Sequence, residues 1–325
     1  MNRLFGLACL LSTIPCLGFA LNPVELIQGV GSDLIEDYAA PLAQSYGVAM
    51  GSGLYHSAKA HKFLGFDIGV RFMLIRIPDA GKTFSAKVKF CYFDTSRMDT
   101  VWKDTVIEGA ATIFGRRGLD ESWVPQGAIG IPPGLPGGLG LDYMPFLLPQ
   151  ASVGLPIPGA ELLIRYVPWP FQGTTVNLLG LGLKEELTAL PGLKKIPLNI
   201  AIQGFYQTLS IGDAMSSTSY GGNIHISKGI LVITPYAGIG FDKTTMKFDY
   251  TFSYKLPTGY DPETHEITYS NGTLPVKLDY APGVNLRGTL GATLKLGLLN
   301  INADYSRNFS TGYDALTAGL AIGLR

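Results

Sequence analysis

Leu286-Arg287-Gly288-Thr289-Leu290-Gly291-Ala292-Thr293-Leu294-Lys295-Leu296, then Gly297-Leu298, then Leu299-Asn300-Ile301-Asn302-Ala303-Asp304-Tyr305-Ser306, decide the fold. In the first run Leu286, Leu290, Ala292, Leu294 and Leu296 alternate with Arg287, Thr289, Gly291, Thr293 and Lys295. In the second, Leu299, Ile301, Ala303 and Tyr305 alternate with Asn300, Asn302, Asp304 and Ser306. A third run closes the chain, with Leu316, Ala318, Leu320, Ile322 and Leu324 against Thr317, Gly319, Ala321, Gly323 and Arg325. Successive side chains of a strand point to opposite faces, so each run is a strand with one apolar and one polar side. In a soluble sandwich the apolar sides meet across a core. In a membrane barrel they face lipid and the polar sides line an interior.

Composition favours the barrel. Charged residues make up 15% of the chain, against about 25% for an ordinary soluble domain. The 41 glycines, 16 tyrosines and 16 phenylalanines suit lipid-facing strands with aromatic girdles. A secreted β-sandwich remains the soluble alternative. No later stretch approaches the ~18 consecutive apolar residues of a membrane helix, so a membrane-spanning form must be a closed barrel.

Residues 1–20 read as a secretory signal peptide. Arg3 is the positive start, Leu4 to Leu17 the apolar core, and Gly18-Phe19-Ala20 the small-x-small cleavage site. Cys16 lacks the small residues before it that lipidation requires. Arg3 is the one charge the signal carries, and its loss leaves basic and acidic residues nearly balanced. No net field therefore invites nucleic acid. Cys9 and Cys16 leave with the signal. Cys91 remains alone, which excludes an intrachain disulfide or a cysteine metal site.

The segment 21–63 has a different periodicity from the rest of the chain. Leu26, Ile27, Val30, Leu34, Ile35, Tyr38 and Leu42 recur at helical steps, with Pro41 as a kink. It is expected to form a short N-terminal helical plug in the barrel mouth, or a periplasmic cap. Residues 64–325 are expected to form the barrel. Phe66–Leu74 and Phe84–Tyr92 are expected to form a hairpin about the Pro78–Lys82 turn, and Thr105–Phe114 a short strand. Residues 94–150 read as a long Gly/Pro-rich loop or lid. Further strands are expected at Ala160–Val167, Thr174–Lys184, Leu198–Gln207, Ser219–Ser227 and Leu231–Phe241, with Lys184–Leu190 helix-like. A turn is expected at Asp242-Lys243. A strand then runs over Met246–Lys255, and an extra hairpin is expected to turn at Asn271-Gly272. The fold class is thus all-β: a transmembrane up-and-down antiparallel β-barrel of about 12–14 strands with a short N-terminal helical plug.

Several short stretches, in order, resemble an uncharacterised family of Gram-negative outer-membrane barrels. They are Tyr38-x-x-Pro41-Leu42, Gly53-Leu54-Tyr55-His56-Ser57-Ala58, Leu64-Gly65-Phe66-Asp67-Ile68, Thr112-Ile113-Phe114-Gly115, Pro149-Gln150-x-Ser152-Val153-Gly154 and Leu163-Ile164-Arg165-Tyr166-x-Pro168. The resemblance implies an outer-membrane location and no established activity. More loosely, a helical plug before many strands is similar to the long-chain fatty acid transporters, which is a likeness of fold alone. The ending Gly323-Leu324-Arg325 departs from the aromatic terminus usual in such barrels.

Chemistry is thinly signposted. His56, His61, His225 and His265 form no recognised metal spacing. His225-Ile226-Ser227 offers a base and a nucleophile on one strand face, and outer-membrane phospholipase A resembles it in having a His-x-Ser pair. Here the pair shares its side with Asn223, away from lipid, so two polar lumen residues are the simpler reading. Gly134 to Gly140 lacks the Lys-Ser/Thr of a phosphate loop. Glu185 and Glu186 read as a solvated face. No catalytic residue, cofactor or metal is expected, and the chain is not expected to be an enzyme.

The polar faces remain. Asp67, Arg71, Lys87, Lys89, Glu161, Arg165, Asn199, Gln203, Gln207, Lys247, Asp249, Arg287, Lys295, Asn300, Asn302 and Asp304 are expected to line the lumen. Both signs are present, which suits a plugged or narrow barrel more than an ion-selective pore. The expected function is passive transport or binding of a small hydrophobic molecule. A structural or adhesive barrel with a filled lumen is the alternative, and a membrane-embedded serine hydrolase a lesser one. Expected partners are outer-membrane lipid and a small apolar ligand, with a monomeric chain.

Overall fold

The computed structural model describes residues 32–94, 99–116, 128–129, 138–171, 174–261 and 266–324. The expected signal peptide lies outside them. Among the described residues one α-helix, α1 (Ser32–Gly51), precedes the strands. These are β1 (Phe66–Arg76), β2 (Thr83–Asp94), β3 (Asp99–Ala111), β4 (Ala128–Ile129), β5 (Tyr143–Gly154), β6 (Ala160–Phe171) and β7 (Thr174–Glu186). They continue as β8 (Asn199–Ile211), β9 (Met215–Ser227), β10 (Ile233–Asp261), β11 (Glu266–Tyr280), β12 (Asn285–Leu296), β13 (Leu299–Asn308) and β14 (Asp314–Leu324).

Ten of these strands close a ring in the order β1, β5, β6, β7, β8, β9, β10, β12, β13, β14. Each pairs antiparallel with its neighbours, and β14 returns to β1 from Phe66↔Leu324 to Arg76↔Asp314. The chain is therefore an up-and-down barrel. The described strands number fourteen, but four of them stand outside the ring. Strand β11 pairs with the upper half of β10. Strands β2, β3 and β4 form a separate sheet inserted between β1 and β5.

Four local expectations are corrected. The hairpin expected from Phe66–Leu74 and Phe84–Tyr92 does not form: β1 pairs with β14 and β5, and β2 with β3 and β4 in the other sheet. Asp242-Lys243 is not a turn: β10 runs unbroken through it for 29 residues. Asn271-Gly272 is not a turn either, since β11 passes through it opposite Lys255 and Tyr254. The connection between β10 and β11 falls at 262–265, outside the described residues. Lys184 to Glu186 complete β7, and only Leu187–Ala189 make a helical turn, of 3-10 type.

On the outer face, Phe66, Ile68, Val70, Leu181, Leu183, Ile202, Ile239, Leu290, Ile301, Leu320 and Ile322 are exposed. A belt of this kind on a closed ring is stable only against acyl chains, where ring closure satisfies every backbone group. No described helix is long and apolar enough to cross a membrane. Tyr206 and Tyr220 sit opposite each other at the upper edge of the belt, both exposed. Beyond it Arg76 and Arg307 both pair with Asp314, at 3.4 and 3.2 Å.

The inner face changes character with height. In β1 it reads Asp67, Arg71, then Met73 and Ile75, with Ile77 just past the strand's end, all buried. In β5 it reads Met144, Phe146 and Leu148 from the top, then Gln150 and Ser152. In β7 Val176 and Leu178 stand above Lys184 and Glu186. The upper lumen is therefore apolar and the lower lumen polar. Helix α1 fills the upper part. Its Tyr38, Leu42, Ala43, Tyr46 and Met50 pack with Met73, Ile75, Met144, Phe146, Leu178, Leu209, Met215 and Met246 in one cluster.

Candidate functional site

The site is the seat of the N-terminal segment inside the ring. Helix α1 contains Pro41, which removes one helical donor and favours a bend. Its apolar stripe nevertheless meets the upper wall. Burial pushes the Tyr38 phenol up to about 12 and the Tyr46 phenol further, so both stay neutral. The helix stops at Gly51, where a Cβ would collide with the Arg287 guanidinium. Gly53 then takes a left-handed φ of 64°, which glycine adopts without steric cost.

A helix end leaves carbonyls without partners. Arg165 and Gln207 meet this one. Met50 O accepts from Arg165 Nη1 at 3.0 Å and from Gln207 Nε2 at 2.8 Å. Ser52 O accepts from Arg165 Nη2 at 2.7 Å, and Arg165 Nε donates to Gln150 Oε1 at 2.9 Å. A cation at a helix C-terminus also opposes the helix dipole.

From Ser52 to Gly65 the chain has almost no regular structure, yet it runs down a lumen enclosed by membrane. Its backbone groups need partners there. The wall supplies them. Thr293 donates to His56 O at 2.6 Å. Ala58 N donates to Ser227 Oγ at 2.9 Å, Ala60 N to Glu186 Oε2 at 2.8 Å and His61 N to Glu161 Oε2 at 3.0 Å. Leu64 N then reaches Gly154 O at 3.2 Å.

Side chains of the segment tie in as well. His61 Nδ1 lies 2.7 Å from Glu161 Oε2, and Lys184 Nζ donates to Glu161 Oε1 at 2.8 Å. Arg71 donates to Asn302 Oδ1 at 2.6 Å and to His56 Nδ1 at 3.1 Å, with Asp67 at 3.5 Å. Asn300 donates to Asp67 at 3.1 Å. The Tyr55 ring stacks on His225, centroids 3.9 Å apart, and meets Tyr236 edge-on at 5.9 Å. Tyr236 in turn donates to Asp304 at 3.0 Å. Arg287 and Asn285 both donate to Asp242, at 2.7 and 3.2 Å.

Of the residues expected to line the lumen, Asp67, Arg71, Glu161, Arg165, Gln203, Gln207, Arg287, Asn300, Asn302 and Asp304 are buried on the inner face. Asn199 and Lys295 are half-buried there. Lys87, Lys247 and Asp249 are not lumen residues. Lys87 is exposed on β2, outside the ring. Lys247 and Asp249 are exposed on the outside of β10, paired with Asp279 at 3.4 Å and Lys277 at 2.8 Å. The inward positions at that height are Met246 and Phe248, because the lumen holds an apolar helix and the outside is water. Lys89 lies on β2, which is not a barrel strand, and its side chain is among those not described.

Sequence reasoning missed Gln150, Lys184, Glu186, Asp242 and Thr293 as lumen residues. Lys184 and Glu186 continue the inward series Gly180, Gly182 of β7, a period-two signal that glycines hide. Ser227, weighed as a nucleophile, holds Ala58 N and lies 3.4 Å from Ser57 Oγ. His225 Nδ1 pairs instead with Asn223 Oδ1 at 2.8 Å. No group of three metal-binding side chains occurs among the described residues.

A closed ring with an apolar exterior and a hydrogen-bonded insert defines a plugged transmembrane β-barrel. The chain belongs to a family of unknown function, DUF6588, whose pattern matches residues 1–324. No curated protein matches it. It is similar to several solved outer-membrane proteins. One is OmpTΔL8, a loop L8 deletion mutant from Vibrio cholerae, with 9% identity over 80% of this chain and 100% of that one, TM-score 0.27. Another is the translocator domain of the autotransporter NalP from Neisseria meningitidis, with 11% identity over 91% and 100%, TM-score 0.28. A Pseudomonas aeruginosa FadL homologue matches with 11% identity over 80% and 88%, TM-score 0.23. Scores this low carry no argument about ligand or mechanism. The barrel assignment rests on ring closure and the outward apolar belt.

Proposed function

We propose that this chain is a monomeric outer-membrane barrel, exported by residues 1–20, that binds and passes a small hydrophobic molecule through its upper lumen. It is not an enzyme in this reading, and its standing partner is membrane lipid. The observation that carries it is the apolar inner wall above the polar seat. A water-filled porin has a polar interior. This one presents Met73, Met144, Met215 and Met246 inward, with Met50 of the plug against them, so five of the seven methionines gather in one cluster. Methionine repacks readily around varied apolar shapes. Helix α1 occupies that chamber in the closed state, and the polar seat below holds it by replaceable hydrogen bonds.

The test is saturable binding of an environment-sensitive apolar dye, N-phenylnaphthylamine, to the folded protein in proteoliposomes. Leu178→Trp and Met215→Trp, which fill the chamber, should lower its capacity. Dye signal no greater than in empty vesicles would favour a structural or adhesive barrel with a filled lumen. That rival draws on the hydrogen bonds by which the wall holds Met50, Ser52, His56, Ala58, Ala60 and His61 of the plug.

A further inference from the structure

A second apolar site lies on the opposite side of the wall. Three rows of outward residues cross β7, β8, β9 and β10 in register. The lower row is Glu185, Ile202, Ile224 and Ile239; the middle row is Leu183, Gly204, Gly222 and Phe241; the upper row is Leu181, Tyr206, Tyr220 and Lys243. The two adjacent glycines leave the centre of the middle row, between Leu183 and Phe241, without side chains, and a concavity of about 1030 Å³ lies there. Phe309 forms a lip beside it. Its N–H donates to Leu286 O at 2.8 Å, and its ring rests on Gly288.

The glycines are not there for want of space. A Cβ at Gly204 would meet nothing nearer than Gly221 O at 3.9 Å, and one at Gly222 would make only ordinary contacts from 3.4 Å. Neither has a positive φ. Glycine in a strand interior weakens it unless something approaches closely, and here the approaching matter is the bilayer. Directly above Phe241 stands Lys243, half-buried beside Tyr220. Among the described residues no carboxylate pairs with Lys243. The next acidic group up the outer face of β10 is Asp249, already paired with Lys277.

We propose that this trough is a binding site for one anionic phospholipid of the surrounding bilayer. An acyl chain lies over Gly204 and Gly222, and the phosphate meets Lys243 with the Tyr206 and Tyr220 hydroxyls at the interface. Apolar shape and a lone cation at one end complement the two parts of such a lipid. The site is distinct from the interior chamber and stands whether or not that chamber binds a ligand.

The experiment is native mass spectrometry of the full chain released from nanodiscs holding equal amounts of phosphatidylglycerol and phosphatidylethanolamine with the same chains. The wild type should retain one phosphatidylglycerol, at least tenfold over the ethanolamine lipid. Gly204→Leu should lose retained lipid of both kinds while keeping heat-modifiable gel mobility, which shows the barrel intact. Lys243→Gln should keep a lipid and lose the preference. No retained lipid in the wild type, unchanged retention in Gly204→Leu, or unchanged preference in Lys243→Gln overturns the proposal. So does a wild-type dimer that Gly204→Leu converts to monomer, which would make the trough a subunit interface.

Discussion

Arg165→Met tests whether the wall clasps the plug. Methionine keeps an unbranched stem and removes every donor. Two charge-assisted bonds to the plug go, at 2.7 Å to Ser52 O and 3.0 Å to Met50 O. Hydrogen bonds to a charged group contribute about 1.5–3 kcal/mol each. Met50 O keeps Gln207, so only Ser52 O is left bare, and a bare buried carbonyl costs about 1–3 kcal/mol. Against these losses, the variant no longer buries a charge, whose desolvation costs several kcal/mol. It also relieves repulsion from Arg71 and Arg287 in the same lumen. The balance is roughly 2–3 kcal/mol against the seated plug, or about 30- to 150-fold in its release. Hydrogen–deuterium exchange of amides 52–61 in detergent reads that change directly, with heat-modifiable mobility as the control for the ring. Arg165→Lys, a point charge without the planar fork, should fall between. Exchange in Arg165→Met equal to wild type, with the ring intact, would refute the clasp.

Other contacts set further outcomes. Glu161→Gln leaves Lys184 buried beside a neutral partner, and breaking one side of a buried pair costs roughly 3–5 kcal/mol; amides 60–65 should exchange faster and the melting temperature fall. Ile301→Arg puts a cation on the lipid face and should cost about 2–4 kcal/mol near the midplane, read from urea titration in vesicles. Lys247→Ala should leave that titration unchanged, because its partner Asp279 is exposed above the membrane. Ser227→Ala removes the acceptor for Ala58 N, a loss of about 1–3 kcal/mol in plug seating; ester hydrolysis that vanishes in this variant would revive the hydrolase reading. At the upper end, hydrogen bonding from Lys82 holds the Asp142 carboxyl below its ordinary range. A depressed carboxylate stabilises above its unfolded range and ceases to do so as pH falls through its folded value. Acidification should therefore speed exchange around 79–82, and Asp142→Asn should abolish that pH dependence.

The strands were legible because a period of two survives almost any interior. The last three strands and ten of the inward polar side chains come from it, while the plug helix near Tyr38 and Leu42 shows through its own helical period. The use of those side chains was not legible. Glu161, Glu186, Thr293 and Ser227 serve backbone groups of 52–61, and a backbone donor leaves no mark in a sequence. The inserted sheet β2–β3–β4 was hidden for a related reason: Phe84, Ala86 and Val88 alternate as well as any barrel strand, and alternation does not say which neighbour a strand takes.

The misplaced turn at Asp242-Lys243 has a more general cause. Along β10 the outward series runs Ile239, Phe241, Lys243, Thr245, Lys247, Asp249, while the inward series runs Asp242, Thr244, Met246, Phe248. Geometry is continuous, but the apolar residues change sides, and a change of phase reads as a break in the strand. The same exchange occurs in β1, where the outer face passes from Leu74 to exposed Arg76 as the inner face passes from Arg71 to buried Met73. In β13 the outer face passes from Tyr305 to Arg307. At each of these points the surroundings of the outer face change from acyl chain to water. Inside, at about the same height, the plug changes from an irregular segment that needs polar partners to a helix that has satisfied its own backbone and needs apolar ones. A phase reversal within an unbroken strand thus locates the membrane boundary and the plug's helix end together. That double constraint is why Met246 could not be polar, nor Asp242 apolar, in a barrel seated around this segment.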